Sequence, residues 1–152
     1  MIDGVVFKTL DTHADERGFF RELIRSNDPF FADSFGQWSH SMVQSGVVKA
    51  WHLHRLQTDW WYIALGLVRV GLYDTRAEAS TYQETMDFLM GDRQPSLVIK
   101  IPPGVAHGYK ILTGPAHVFY VTSHIYDPQD DLRMPEDAPE IEFDWQKGSP
   151  IQ

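Results

Sequence analysis

The sequence predicts an all-β domain, a sandwich or barrel of short strands. Two observations carry this. Runs rich in Val, Ile, Tyr and Phe recur along the whole chain, each bounded by turn residues, and many such strands at short spacing close into a sandwich or barrel. The chain has 152 residues, 43% of them hydrophobic, which suits a single domain spanning 1–152 with a substantial core. There is no internal repeat and no long low-complexity segment.

Taken in order, strands are predicted over 5–10 (VVFKTL), 19–24 (FFRELI), 36–43 (GQWSHSMV), 46–54 (GVVKAWHLH) and 59–66 (DWWYIALG). They continue over 67–75 (LVRVGLYDT), 97–104 (LVIKIPPG), 106–112 (AHGYKIL) and 116–126 (AHVFYVTSHIY). Gly, Pro, Asn or Asp near the ends of these runs supplies the breaks. Two short pieces read as helical, 28–35 (DPFFADSF) and 80–90 (STYQETMDFLM). Residues 127–144 are acidic and interrupted by Pro, so the C-terminal segment 127–152 reads as irregular surface. Within it IEFDW, 141–145, is an apolar-aromatic patch expected to dock back on the barrel.

Composition excludes some partners. A net charge of -8 argues against nucleic acid or an anionic membrane, both of which favour basic patches. A phosphorylated small molecule stays open, because a few local Arg and Lys can hold one. With no cysteine there are no disulfides, thiolate nucleophiles or Cys-based zinc sites, which fits a reducing, cytoplasmic setting. MIDGVVFKTL lacks the pattern of a signal peptide, and no apolar run approaches the roughly 20 residues of a membrane span.

The chemistry concentrates in two places. In G-V-V-K-A-W-H-L-H, His52 and His54 are two apart on a predicted strand and so share a face. Asp59 follows a short turn and comes back beside them. Farther on, I-P-P-G-V-A-H places His107 just after a Pro-Gly turn. These spacings resemble the two motifs of the cupin superfamily. Gly46, His52, His54, Asp59 and Gly66 fill the first, with Asp where Glu is usual. Pro102, Gly104 and His107 fill the core of the second, while Ser96 and Ile111 stand at its usual flanking Gly and Asn. The resemblance implies a double-stranded β-helix, or jelly roll. Three imidazoles and a carboxylate, His52, His54, His107 and Asp59, suit a divalent transition metal. Equally, such groups can simply line a polar barrel interior.

A second resemblance runs over nearly the whole chain. D-E-R-G-F-F-R-E (15–22), Q-W-S-H-S (37–41), V-V-K-A-W-H (47–52), D-T-R-A-E-A-S-T-Y (74–82), I-P-P-G-V-A-H-G-Y (101–109), Tyr120 and the Y-D-P at Tyr126 together resemble the dTDP-4-dehydrorhamnose 3,5-epimerase family, itself a cupin jelly roll. That family removes a proton beside a sugar ketone and returns it on the other face, and it needs no cofactor. By position the resemblance makes His52 the base and Tyr120 the acid. It puts His107 near the sugar carbonyl, Lys49 near the diphosphate and Tyr126 beside the nucleotide base. Gln37 is counted with the substrate-binding residues. Arg17, Phe20 and Glu22 match an N-terminal arm, within 1–30, that contacts the nucleotide in a neighbouring subunit, so a homodimer is implied.

Three departures stand out. The family's enolate-stabilising Lys aligns with Asp59, and its Gln two residues after the base is His54. The C-terminal S-x-K-D segment, whose Asp orients the base, has no counterpart, so the resemblance implies a base without its carboxylate. A metal taking His52 as a ligand would also consume the lone pair that the base needs. Besides the epimerase, the expectations are therefore a metal-dependent cupin isomerase or dioxygenase, and a non-catalytic sugar-binding cupin.

Overall fold

The computed structural model describes residues 1–31 and 35–147. Among the described residues ten strands carry the fold: β1 Val6–Thr9, β2 His13–Asp15, β3 Gly18–Phe20, β4 Gln37–Val43, β5 Val48–Leu53, β6 Asp59–Asp74, β7 Thr85–Gly91, β8 Leu97–Ile101, β9 Val105–Thr122 and β10 Leu132–Arg133. Eight of them form one antiparallel system in the order β1-β8-β6-β9-β5-β10, with β4 also on β9 and β7 also on β6. β2 and β3 form a separate hairpin. The result is the expected all-β jelly roll.

The long strands β6 and β9 set the architecture. Each reads in the sequence as two strands, broken at Gly66 and at Thr113-Gly114-Pro115. Each is instead one bent strand, and the two pair with each other from Asp59↔Thr122 to Asp74↔Val105. The pairing shifts register between Ile63 and Val68, which is where Gly66 takes φ +90°. A Gly inside a strand marks a bulge or bend as readily as a turn, and here it lets one strand serve both faces of the barrel.

Other boundaries moved for physical reasons. The expected helix over 80–90 is turn followed by strand β7. Its side chains alternate, with Met90 buried and Met86 and Phe88 packed on the core between exposed neighbours. Period two decided, over the helix preference of Met and Leu. The expected helix over 28–35 is a single 3-10 turn at Pro29–Phe31, and residues 32–34 lie outside the described residues. The strand expected over 19–24 ends at Phe20, and Leu23 and Ile24 pack on Trp60 and Val98 instead. Among the described residues no helix is long and apolar enough to cross a membrane.

The main core fills the barrel with Val43, Trp61, Ile63, Val68, Val70, Leu72, Ile99, Ile111 and Val118. A second cluster forms where the C-terminal segment folds back: Ile141, Phe143 and Trp145 pack on Trp51, Tyr73 and Ala106. IEFDW therefore docks as expected. It is also latched by cations, since Arg69 donates to the carbonyls of Asp144 and Lys147 and Lys110 donates to the carbonyl of Trp145.

Candidate active site

β5, β6 and β9 converge on a pocket of about 210 Å³. Gln37, Lys49, His52, His54, Asp59, His107, Tyr120 and Tyr126 all line it. Two motif glycines prepare the entry of these side chains. Gly46 (φ +82°) and Gly104 (φ +79°) turn the chain into β5 and β9 through left-handed conformations that other residues rarely adopt. His52 then pairs with His107 across the β5–β9 ladder, just past a register shift, with their rings 6.2 Å apart.

His52 does meet a carboxylate. His52 Nδ1 lies 3.3 Å from Oδ1 of Asp131, and Arg133 Nη1 lies 3.2 Å from His52 Nε2. A carboxylate accepts and a guanidinium only donates, so both neighbours select the same tautomer: Nδ1 carries the hydrogen and Nε2 the lone pair. Burial, then the charge of Arg133, holds the His52 pKa below its usual value against the opposing pull of Asp131. The ring is neutral at neutral pH. Asp131 itself stays ionised: burial raises its pKa, but hydrogen bonds and charge from Arg133 and His52 bring it below the usual carboxylate value.

Asp131 is held in place by its neighbour. The Asp130 carboxylate accepts the backbone N–H groups of Arg55, Leu56 and Gln57, and its carbonyl accepts His54 Nδ1 at 2.9 Å. Residues 127–133 are thereby clamped to the turn after β5, and β10 adds an edge pairing, Arg133↔His52. The acidic run that reads as solvated surface thus supplies the orienting group. No local signal marks it, because the contact joins residues 79 apart in sequence.

Tyr120 lies farther along β9, paired with Trp61 of β6 and Ser39 of β4. Burial, then the Asp59 charge, raises its pKa, so the phenol keeps its proton. His107 is 3% exposed, and burial pushes its pKa down to about 4 despite Asp59 nearby, which leaves the ring neutral. Lys49 Nζ reaches Ser41 Oγ at 3.3 Å, and Gln37 Oε1 accepts the Tyr126 backbone N–H at 3.1 Å, which draws Tyr126 to the pocket rim.

The expected metal set separates into two groups. His54, Asp59 and His107 bring one potential ligand atom each within 4.8 Å of one another. His52 stands apart from them, engaged with Asp131 and Arg133. His52 is therefore outside the cluster of three. Arg17, Phe20 and Glu22 do not reach this pocket. They lie on or beside the β2–β3 hairpin, where Arg17 pairs with Asp15, Glu22 pairs with Arg25, and Phe20 is 61% exposed.

A jelly-roll barrel whose pocket holds a neutral imidazole seated on a carboxylate, together with a protonated phenol, has the groups that suit an isomerase working by proton transfer. The chain matches the dTDP-4-dehydrorhamnose 3,5-epimerase family over residues 1–152 and belongs to it. It is 44% identical over 148 residues to the spore coat polysaccharide biosynthesis protein SpsL of Bacillus subtilis (strain 168), covering 95% of this chain and 97% of that one. The solved dTDP sugar isomerase of Desulfovibrio desulfuricans G20 shares the fold with a TM-score of 0.89 at 29% identity, covering 96% and 93% of the two chains. RmlC of Legionella pneumophila Philadelphia 1, a dTDP-6-deoxy-D-glucose-3,5-epimerase solved with dTDP-4-keto-L-rhamnose, gives 0.88 at 25%, covering 99% and 83%.

Proposed function

We propose that this protein epimerises a dTDP-linked 4-keto-6-deoxy sugar at a carbon next to the ketone. One observation carries the reading: His52, seated on Asp131, and Tyr120 line the same pocket. Once substrate displaces the Arg133 hydrogen bond from His52 Nε2, that nitrogen takes the proton beside the ketone, the electron pair moves onto the ketone oxygen as an enolate, and Asp131 stabilises the imidazolium that forms. Tyr120 then gives its phenol proton to the other face of the carbon. No electrons leave the substrate, so the reaction calls for no redox cofactor. The group these residues could add is a divalent cation at His54, Asp59 and His107, taken up below.

The sugar class is supported by the Legionella relative and its ligand. Lys49 serves the diphosphate as a point charge, without the bidentate grip of an Arg. The presence of a His–carboxylate pair argues against a pure binding protein, which has no use for a neutral imidazole in a fixed tautomer. The reading includes a homodimer in which Arg17, Phe20 and Glu22 of one chain reach the nucleotide in the partner's pocket. Their exposure on a hairpin away from their own pocket supports it. A cytoplasmic location fits a chain without cysteine.

The test is incubation of the protein with dTDP-4-keto-6-deoxyglucose in D2O, read by NMR. Deuterium is expected at a carbon flanking the ketone, with loss of the signal in His52→Asn. A wild-type protein that binds dTDP tightly yet exchanges no proton from this or a related dTDP-4-keto sugar would leave only the binding role.

A further inference from the structure

We infer that this chain binds a first-row divalent transition metal through His54, Asp59 and His107, in the same pocket as the His52–Asp131 pair but separate from it. The argument begins with tautomers. His54 Nδ1 lies 2.9 Å from the Asp130 carbonyl and His107 Nδ1 lies 2.9 Å from the Val105 carbonyl. A carbonyl oxygen only accepts, so each Nδ1 carries the hydrogen and each Nε2 is left with its lone pair. Imidazoles that hold a metal are oriented in this way, by a hydrogen bond from the far nitrogen to a carbonyl or carboxylate.

The third member is acidic and already aimed. Asp59 accepts Gln57 Nε2 on Oδ1 at 2.7 Å and Trp61 Nε1 on Oδ2 at 3.1 Å, which fixes the carboxylate and leaves lone pairs free on both oxygens. His107 Nε2 is 3.8 Å from Asp59 Oδ2. The three residues are 9%, 5% and 3% exposed. Three acceptors thus meet at the pocket wall with no hydrogen donor among the three, an arrangement that a cation joins. Ligand atoms bound at about 2.1 Å to one ion stand roughly 3–4 Å apart, so the His107–Asp59 spacing already fits. Two imidazoles and a carboxylate favour Mn, Fe, Co, Ni or Zn over the hard ions Mg and Ca, and leave positions open toward the pocket.

The site also answers a chemical gap, and this part rests on the proposed epimerase reaction. The resemblance places a Lys for the enolate at the position of Asp59. A bare carboxylate there would oppose the charge that forms. When bound, a divalent ion supplies the missing positive charge beside the ketone oxygen. The two substitutions, Lys by Asp and Gln by His, then make one change rather than two defects.

The experiment uses untagged protein purified without chelator, measured for metal by elemental analysis. The same protein is then stripped and titrated with Zn2+ and with Mn2+ while its melting temperature is followed. Wild type and His52→Asn are expected to hold near-stoichiometric metal and to gain thermal stability on its return. Asp59→Asn and His107→Gln should lose both responses while keeping their circular dichroism and dTDP binding. No uptake of either ion by wild type, or equal uptake by Asp59→Asn, would overturn the site. Loss of metal in His52→Asn would overturn its separation from the base. Deuterium exchange by metal-free wild type sinks the site's role and leaves the epimerase standing, whereas metal held without exchange does the reverse.

Discussion

In the proposed reaction His52 is the base, and two neighbours fix its tautomer. Asp131 accepts the Nδ1 hydrogen and Arg133 donates to Nε2, so the lone pair lies on Nε2 and becomes available when substrate displaces Arg133. Replacing His52 by Asn removes the proton acceptor, and kcat should fall about 10²–10⁴-fold while affinity for dTDP stays near wild type. Asp131→Asn keeps the shape but offers an amide in place of an anion, and should slow turnover sharply while lowering thermal stability only modestly, since it weakens the pairing with the exposed Arg133. Tyr120→Phe separates the two half-reactions. Deuterium should still enter beside the ketone, because His52 is intact, but formation of the epimer should drop sharply. Epimerisation at the wild-type rate in Tyr120→Phe would remove that residue from the mechanism.

Among the elements, the C-terminal segment matters most, because it both covers the barrel and delivers Asp131. Gly71 lies beneath it: a Cβ there would meet Trp51, Phe143 and Trp145 at 2.8–2.9 Å. Gly71→Ala overfills this contact and should cost about 1–3 kcal/mol, read as a lower denaturation midpoint. Asp130 acts differently. Its carboxylate serves three partly buried backbone N–H groups of the turn after β5, so Asp130→Ala removes their shared acceptor at a cost of about 1–3 kcal/mol. Activity should fall with it, because the clamp that sets Asp131 is gone. A large drop in stability together with turnover in Asp130→Ala, but a loss of turnover far out of proportion to stability in Asp131→Asn, would distinguish the clamp from the carboxylate it positions.

For the whole molecule, acid stability and assembly are the tests. Asp74 is fully buried at the end of β6. Burial raises its pKa, but bonds from Arg76 and Thr81 outweigh that and bring it below the ordinary value. A carboxyl whose pKa is depressed by folding stabilises above the unfolded pKa, near 4, and loses that contribution as pH falls through the folded value. The melting temperature of the wild type should therefore drop on acidification below about pH 4, and Asp74→Asn, less stable at neutral pH, should show a shallower drop. Assembly is checked by mixing. If the arm of one chain completes the pocket of its partner, Arg17→Ala and His52→Asn chains, each weakly active, should regain activity when refolded together. A monomer by sedimentation would end that reading.

The strands, the jelly roll and most of the pocket were legible in the sequence, because they rest on local facts. Branched and aromatic runs make strands, alternation puts His52 and His54 on one face, and glycines at Gly46 and Gly104 mark positions that need left-handed backbone. Local signals misled where a Gly or Pro bends a strand instead of ending it, as at Gly66, and where Met and Leu hid the period-two pattern of β7. Asp131 was out of reach for another reason. Its role depends on residues 127–133 folding back over the turn after β5, and nothing within that acidic run says which carboxylate will meet an imidazole 79 residues away. The sequence by itself determined which groups line the barrel, since those are set by strand periodicity. The tertiary structure alone decided how they divide between the His52–Asp131 pair and the His54, Asp59 and His107 cluster, since that depends on which nitrogen meets a carbonyl and which a carboxylate across the closed fold.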